Sequence, residues 1–177
     1  MDNNIMLDEI KKIYEENIQW LNFAELKNGA LLTVSLAVLG VVSQTDIILY
    51  LKCILMICFS LLSLICMASF IPFLNQSKWI KEQARRKYAK KYGSSLQDHN
   101  IIFYVNIFLS NTNDYKLALS DIINNGQAYD FKKLEENYIL QLFQISTISA
   151  IKYYFFNFAV KVFFAFVIVL VVSIIIA

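Results

Sequence analysis

Charge is scarce in this chain. Asp, Glu, Lys and Arg make up 17% of its 177 residues, against roughly 25% in soluble domains. There are four glycines, one proline, one histidine and three cysteines. Such a composition excludes a disulfide scaffold, a zinc module, a glycine-rich phosphate loop of the usual kind and a low-complexity disordered chain. His99 has no second histidine with which to build a site, and neither H-E-x-x-H nor G-x-S-x-G occurs. Cys53, Cys58 and Cys66 have no neighbouring histidine or carboxylate in sequence, which argues against a metal centre and thiol catalysis alike. The expectation is a protein that is not an enzyme and holds neither metal nor cofactor, with His99 in a solvated loop.

What is present is apolar: 58% of the residues are hydrophobic. A hydrocarbon core about 30 Å thick needs roughly 20 helical residues, and three runs qualify. Asn28 to Thr45 holds 18 uncharged residues between Lys27 and Asp46, and Cys53 to Ser77 holds 25. Tyr153 to Ala177 is broken only by Lys161, near enough to one end for its ammonium to reach the interface. Of the sixteen basic residues, twelve lie between Lys78 and Lys161, three in the first 27 residues and one in the Asp46 to Lys52 hairpin. Basic residues collect on the cytoplasmic side, so the N-terminus is placed inside and the C-terminus outside. The first run follows six acidic residues and ends in no A-x-A-like cleavage site, so it reads as a retained span rather than a signal peptide.

The expected fold class is therefore an all-α membrane protein with three transmembrane helices and a helical cytoplasmic region between spans two and three. Its expected segments are an amphipathic helix over 1–27, a transmembrane hairpin over 28–77, a cytoplasmic region over 78–152 and a last span over 153–177. Met6, Ile10, Ile13, Trp20 and Ala24 recur at helical spacing, with Asn17 as the one polar break and Asp2 or Asn3 as a possible cap. Pro72 is placed to kink the cytoplasmic end of span two, and a basic helix then runs to Tyr92 with Gly93 as its stop. Ile101 to Leu109 reads as a short helix. Asn111 to Asp114 caps a further helix over Tyr115 to Ile123, which Asn124 to Gly126 ends. From Asp130 onward no glycine or proline interrupts the chain, so one helix of about 70 Å is expected. Leu134, Tyr138, Leu142, Ile145 and Ile148 form its predicted apolar stripe, with Glu135 and Glu136 on its polar face.

Several residues have two readings from chemistry alone. Lys78, Lys81, Arg85, Arg86, Lys87, Lys90 and Lys91 either attract a nucleotide phosphate or form the positive-inside signal that meets anionic lipid headgroups; the second fits their position beside a span. Tyr104, Asn106 and Tyr115 either hold a base by stacking and amide bonding or pack between helices. Lys152, just before the last span, either meets a ligand phosphate or snorkels to lipid, and Lys161 either lines a pore in an assembly or snorkels. Gly29, Thr33, Ala37 and Gly40 form a small-residue face suited to close helix approach, within one subunit or between subunits.

The stretches "IIFYVNIFLSNTNDYKLAL" and "YILQLFQISTISAIKYYFFNFAV", and "IQWLNFAELKNGALL" before the first span, resemble the transmembrane effectors of Pycsar antiphage systems. In that family a phenylalanine-rich "FFGDIA" stretch precedes an acidic cluster and a tyrosine. Phe103, Tyr104, Val105, Asn106 and Ile107 stand at the first motif and Tyr115 at its tyrosine, with Val105 and Asn106 in place of the family's Gly-Asp pair. Gln141, Ser146, Ile148, Lys152 and Tyr153 follow the later motif, and Lys27 stands for the lysine before the first span. The resemblance implies an inner-membrane, multi-pass antiphage effector, oligomeric, that binds a cyclic pyrimidine nucleotide supplied by a nucleotide cyclase and impairs the membrane. The ligand-binding candidates are then Tyr104, Asn106, Tyr115, Gln141, Ser146 and Lys152, with membrane lipids as partners and no DNA or RNA. The alternative is a non-conducting membrane scaffold that recruits a protein through its cytoplasmic helices.

Overall fold

A computed structural model describes residues 5–70, 78–93, 100–124, 126–127 and 129–176. Asp2, Asn3, Pro72, the tail of the second apolar run over 71–77, and His99 lie outside the described residues. Every regular element among those described is a helix: α1 Ile5–Gln44, α2 Leu49–Ala68, α3 Lys78–Tyr92, α4 Tyr104–Leu109, α5 Thr112–Ile123 and α6 Lys133–Ile176. Helices α1, α2 and α6 each contain an apolar window long enough to cross a membrane. The fold is thus all-α with three candidate spans. At 1.5 Å per residue, the 40 residues of α1 and 44 of α6 extend about 60 and 66 Å.

Helix boundaries follow local chemistry. Asn111 caps α5 as expected, its Oδ1 accepting from the Asp114 N–H at 2.8 Å, so the helix starts at Thr112. Gly93 and Gly126 have φ of 82° and 76°, a region open to glycine, and follow the ends of α3 and α5. Helix α4 is shorter than the predicted run, because Asn100 to Phe103 form a turn ahead of it. Helix α6 starts at Lys133 rather than at Asp130, since the Glu135 carboxylate turns back to accept from the Lys132 N–H at 2.8 Å.

The described residues form two compact units. The first comprises residues up to Phe23 together with Lys78 to Ile151; the second comprises Ala24 to Phe70 and Lys152 to Ile176. Both α1 and α6 contribute to each. Lys152, assigned on sequence to the cytoplasmic region, falls in the second unit.

The first unit's core joins Met6, Ile10 and Ile13 of α1 to Ile101, Ile107, Tyr115, Leu119, Ile139 and Leu142. Two sequence expectations are corrected here. Glu135 is not on a polar face: it is 1% exposed, taking the Tyr129 hydroxyl at 2.9 Å as well as the Lys132 N–H. The inward stripe of α6 is Glu135, Ile139, Leu142, Ser146 and Ser149, at intervals of four, three, four and three. Leu134 is 54% exposed, and Tyr138, Ile145 and Ile148 are only partly buried. The apolar pattern misplaces the face because three of its five buried positions are polar. Glu136 lies near the surface and pairs with Lys116.

In the second unit, Leu31 and Val42 of α1, Leu55, Phe59, Leu62 and Cys66 of α2, and Ala159 and Leu170 of α6 form one core. Phe59 meets Phe163 and Phe166 edge-on, with centroids 6.0 Å apart. Hydroxyls and amides here return to carbonyls of their own helices: Asn28 to Ala24, Ser35 to Leu31, Ser63 to Phe59 and Ser173 to Val169. Such local bonding satisfies polar side chains where no water is at hand. At the hairpin, the Lys52 ammonium donates to the Thr45 carbonyl just beyond α1 at 3.2 Å.

The inward face of α5 is testable in isolation. Leu119→Ala, at a fully buried site, is expected to destabilise the protein by about 2–5 kcal/mol. Leu117→Ala, at a site 70% exposed, is expected to stay within about 0.5 kcal/mol. Thermal unfolding in detergent checks both.

Candidate functional site

The candidate ligand residues of the first unit gather around the turn Asn100–Phe103. Four successive carbonyls of this turn are all engaged. Asn106 donates from Nδ2 to the Asn100 oxygen at 3.0 Å, and Tyr115 donates its hydroxyl to the Ile101 oxygen at 3.0 Å. Asn17 donates from Nδ2 to the Ile102 oxygen at 2.9 Å. The Phe103 oxygen accepts the N–H groups of Asn106 and Ile107, which begin α4. Within the turn, the Ile102 N–H bonds Asn100 Oδ1 at 2.9 Å.

Asn17 is the junction. Its amide also donates to the Ile13 carbonyl at 2.9 Å, and its Oδ1 accepts the Ser146 hydroxyl at 3.0 Å. Asn17 and Ser146 are both fully buried. One amide therefore ties α1, the turn and α6 together inside the first unit. In sequence Asn17 was visible only as a break in an apolar stripe. A lone polar residue at a core register is the available signal, because a buried amide must find partners.

Aromatic rings cover the same turn. Trp20 approaches Phe103 and Tyr104 with centroids at 6.0 and 5.8 Å, and Phe103 and Tyr104 lie 4.8 Å apart. Tyr92 of α3 meets Phe103 at 5.9 Å and carries Lys91 over its ring at 4.9 Å. Trp20 is 37% exposed, whereas Tyr104 is 6% exposed and Tyr115 fully buried. Burial pushes the Tyr115 phenol well above its ordinary pKa. Burial, and then the bond to Glu135, raises that of Tyr129. Both stay protonated donors at neutral pH.

The other candidates are dispersed. Gln141 is exposed on α6. Lys152 lies in the second unit, 6% exposed at its side chain, with its ammonium 2.5 Å from Glu25 Oε1. Two residues on, Lys27 sits over the rings of Tyr153 and Phe156 at 5.3 and 5.7 Å. Of the small-residue face, Thr33, Ala37 and Gly40 point out of the second unit, while Gly29 lies against the Phe70 ring. Lys161 is exposed on α6.

The seven basic candidates from Lys78 to Lys91 all lie on α3 and are all exposed. The helix packs by Ala84 and Tyr88, the Tyr88 hydroxyl donating to the Ala150 carbonyl at 3.1 Å. Arg85 donates to the Leu109 carbonyl at 2.7 Å and Arg86 pairs with Glu82. Among the described residues no three His, Cys, Asp or Glu side chains gather as a metal cluster.

Comparison with known families decides the kinship. Residues 9–177 match the Pycsar effector protein domain. This chain belongs to the Pycsar effector family. No curated protein and no solved structure matches it. With its three apolar helices, this Pycsar effector is a membrane protein of antiviral defence, in a family linked to a cyclic nucleotide signal.

The weight on Asn17 is measurable. Asn17→Ala removes two donated bonds and one accepted bond, leaving the Ile102 carbonyl without this donor; the expected cost is about 2–4 kcal/mol. Tyr115→Phe, which deletes only the donor to Ile101, is expected to cost about 1–3 kcal/mol. Chemical or thermal unfolding of the two variants tests this order.

Proposed function

We propose that this Pycsar effector is a non-enzymatic, multi-pass inner-membrane protein, N-terminus inside, that responds to a cyclic pyrimidine nucleotide and then impairs the membrane. The messenger, cyclic CMP or cyclic UMP, comes from a nucleotide cyclase made during infection, and the effector works as a homo-oligomer. The first unit is the cytoplasmic sensor and the second the membrane part. The observation that carries this reading is α6, one helix that places Ile139, Leu142 and Ser146 in the first unit's interior and Ala159 and Leu170 in the second's core. A helix shared by two cores is a means of linking a change in one to a change in the other.

The turn Asn100–Phe103 is the natural sensing element. Tyr104, Asn106, Tyr115 and Ser146 are already bonded or stacked there, so a ligand acts by exchanging these contacts for its own. It must bind one arrangement better than another. Moving the population from 1:99 to 99:1 takes about 5.5 kcal/mol of preference, which several subunits binding together supply more readily than one. The exposed cations of α3 suit contact with anionic lipid headgroups.

Purified protein in vesicles, with a panel of cyclic mononucleotides and cyclic oligonucleotides on the sensor side, tests the reading. A cyclic pyrimidine mononucleotide is expected to trigger ion or dye leakage. No leakage with any nucleotide, in vesicles holding correctly oriented protein, would contradict it and favour a scaffold that recruits a protein partner. Orientation is separately checked in spheroplasts, where external protease is expected to remove a C-terminal tag and spare an N-terminal one.

A further inference from the structure

The Glu25–Lys152 pair is unequal. The Lys152 side chain is 6% exposed and that of Glu25 45%, so one member depends on the other while its partner has water available. Both belong to the second unit, on α1 and α6, and their charged atoms are 2.5 Å apart. The neighbouring residues repeat the link between these helices: Lys27 of α1 lies over Tyr153 and Phe156 of α6. Asn28, almost fully buried, spends its amide on the Ala24 carbonyl of its own helix. Glu25 is thus the carboxylate bonded to the buried cation.

We infer that Glu25 and Lys152 form an electrostatic clasp that keeps α1 and α6 of the second unit packed together, and that release of Glu25 opens it. The clasp is directional. Removing the Glu25 charge strands a buried ammonium, which is strongly unfavourable, whereas replacing the lysine by an apolar side chain of similar size removes the need for a partner. The liberated Glu25 carboxylate is simply hydrated. A pair needed equally by both helices would weaken the fold when either member is lost; here only loss of the carboxylate strands a charge.

The gating role rests on the membrane-impairment reading, so the experiment has two independent readouts. Wild type, Glu25→Gln, Lys152→Met and the double variant are placed in vesicles. Basal leakage is measured without any nucleotide, and acylation of Lys152 by an amine-reactive reagent is followed by mass spectrometry. Glu25→Gln is expected to raise both the acylation rate and basal leakage by roughly tenfold or more. Lys152→Met is expected to leak no more than wild type, and the double variant to behave like Lys152→Met, which also shows that Glu25→Gln alone had not misfolded the chain. Faster acylation in Glu25→Gln with no leakage from any variant would overturn the gating role of the clasp, whereas absence of nucleotide-triggered leakage from wild type would overturn the membrane-impairment reading. Unchanged acylation in Glu25→Gln, or leakage from Lys152→Met equal to that of Glu25→Gln, would overturn the clasp.

Discussion

The first unit of this Pycsar effector depends on one buried amide. Asn17 supplies a donor to the carbonyl of Ile102 and an acceptor to the hydroxyl of Ser146, so three separate stretches of chain meet at a single side chain. Apolar contact alone fixes such a meeting poorly, because Ile and Leu surfaces slide over one another at little cost. A buried amide has few satisfied positions, and losing one is expensive. Around it, Tyr115 and Asn106 engage the two preceding carbonyls of the turn. The turn is therefore specified by hydrogen bonds, with the core closing over it.

The second unit meets the opposite problem along its apolar candidate spans, where a hydrocarbon surrounding would offer polar side chains no water. Its answer is local: serines and Asn28 bond within their own helices, as a helix satisfies its own backbone. Charge appears where α1 and α6 join this unit, as Glu25 with Lys152 and as Lys27 over two aromatic rings. The buried polar contacts that connect different helices differ between the two units. Amide and hydroxyl bonds serve the interior of the first, with the Lys116–Glu136 pair nearer its surface, and in the second the buried Lys152 is held by an ion pair. With α1 and α6 contributing to both, the chain has two cores and two shared helices.

Much of this frame was legible from sequence because long uncharged runs and capping residues act locally. The three apolar helices, the Asn111 cap and the Gly93 stop follow from composition and backbone preference. The inward face of α6 was not legible, because Glu135, Ser146 and Ser149 are polar yet buried, and periodicity counts such residues as outward. Asn17 was misleading for the same reason: a break in a stripe looks like a defect until its partners, more than eighty residues away, are in view. Lys152 stood out beside the last span, but its partner Glu25 was one of six early carboxylates, and no spacing singles it out. Helix ends are written in neighbouring residues; polar pairings across the fold depend on packing.

The most direct test of the central claim is amide hydrogen exchange on the protein in nanodiscs, wild type against Asn17→Ala. If one amide ties α1, the turn and α6, protection falls together at Ile102 to Ile107 and at the α6 amides around Ser146, while α2 is unaffected. Protection lost only within the turn of α1 beside residue 17, with the Asn100–Phe103 region unchanged, would contradict it.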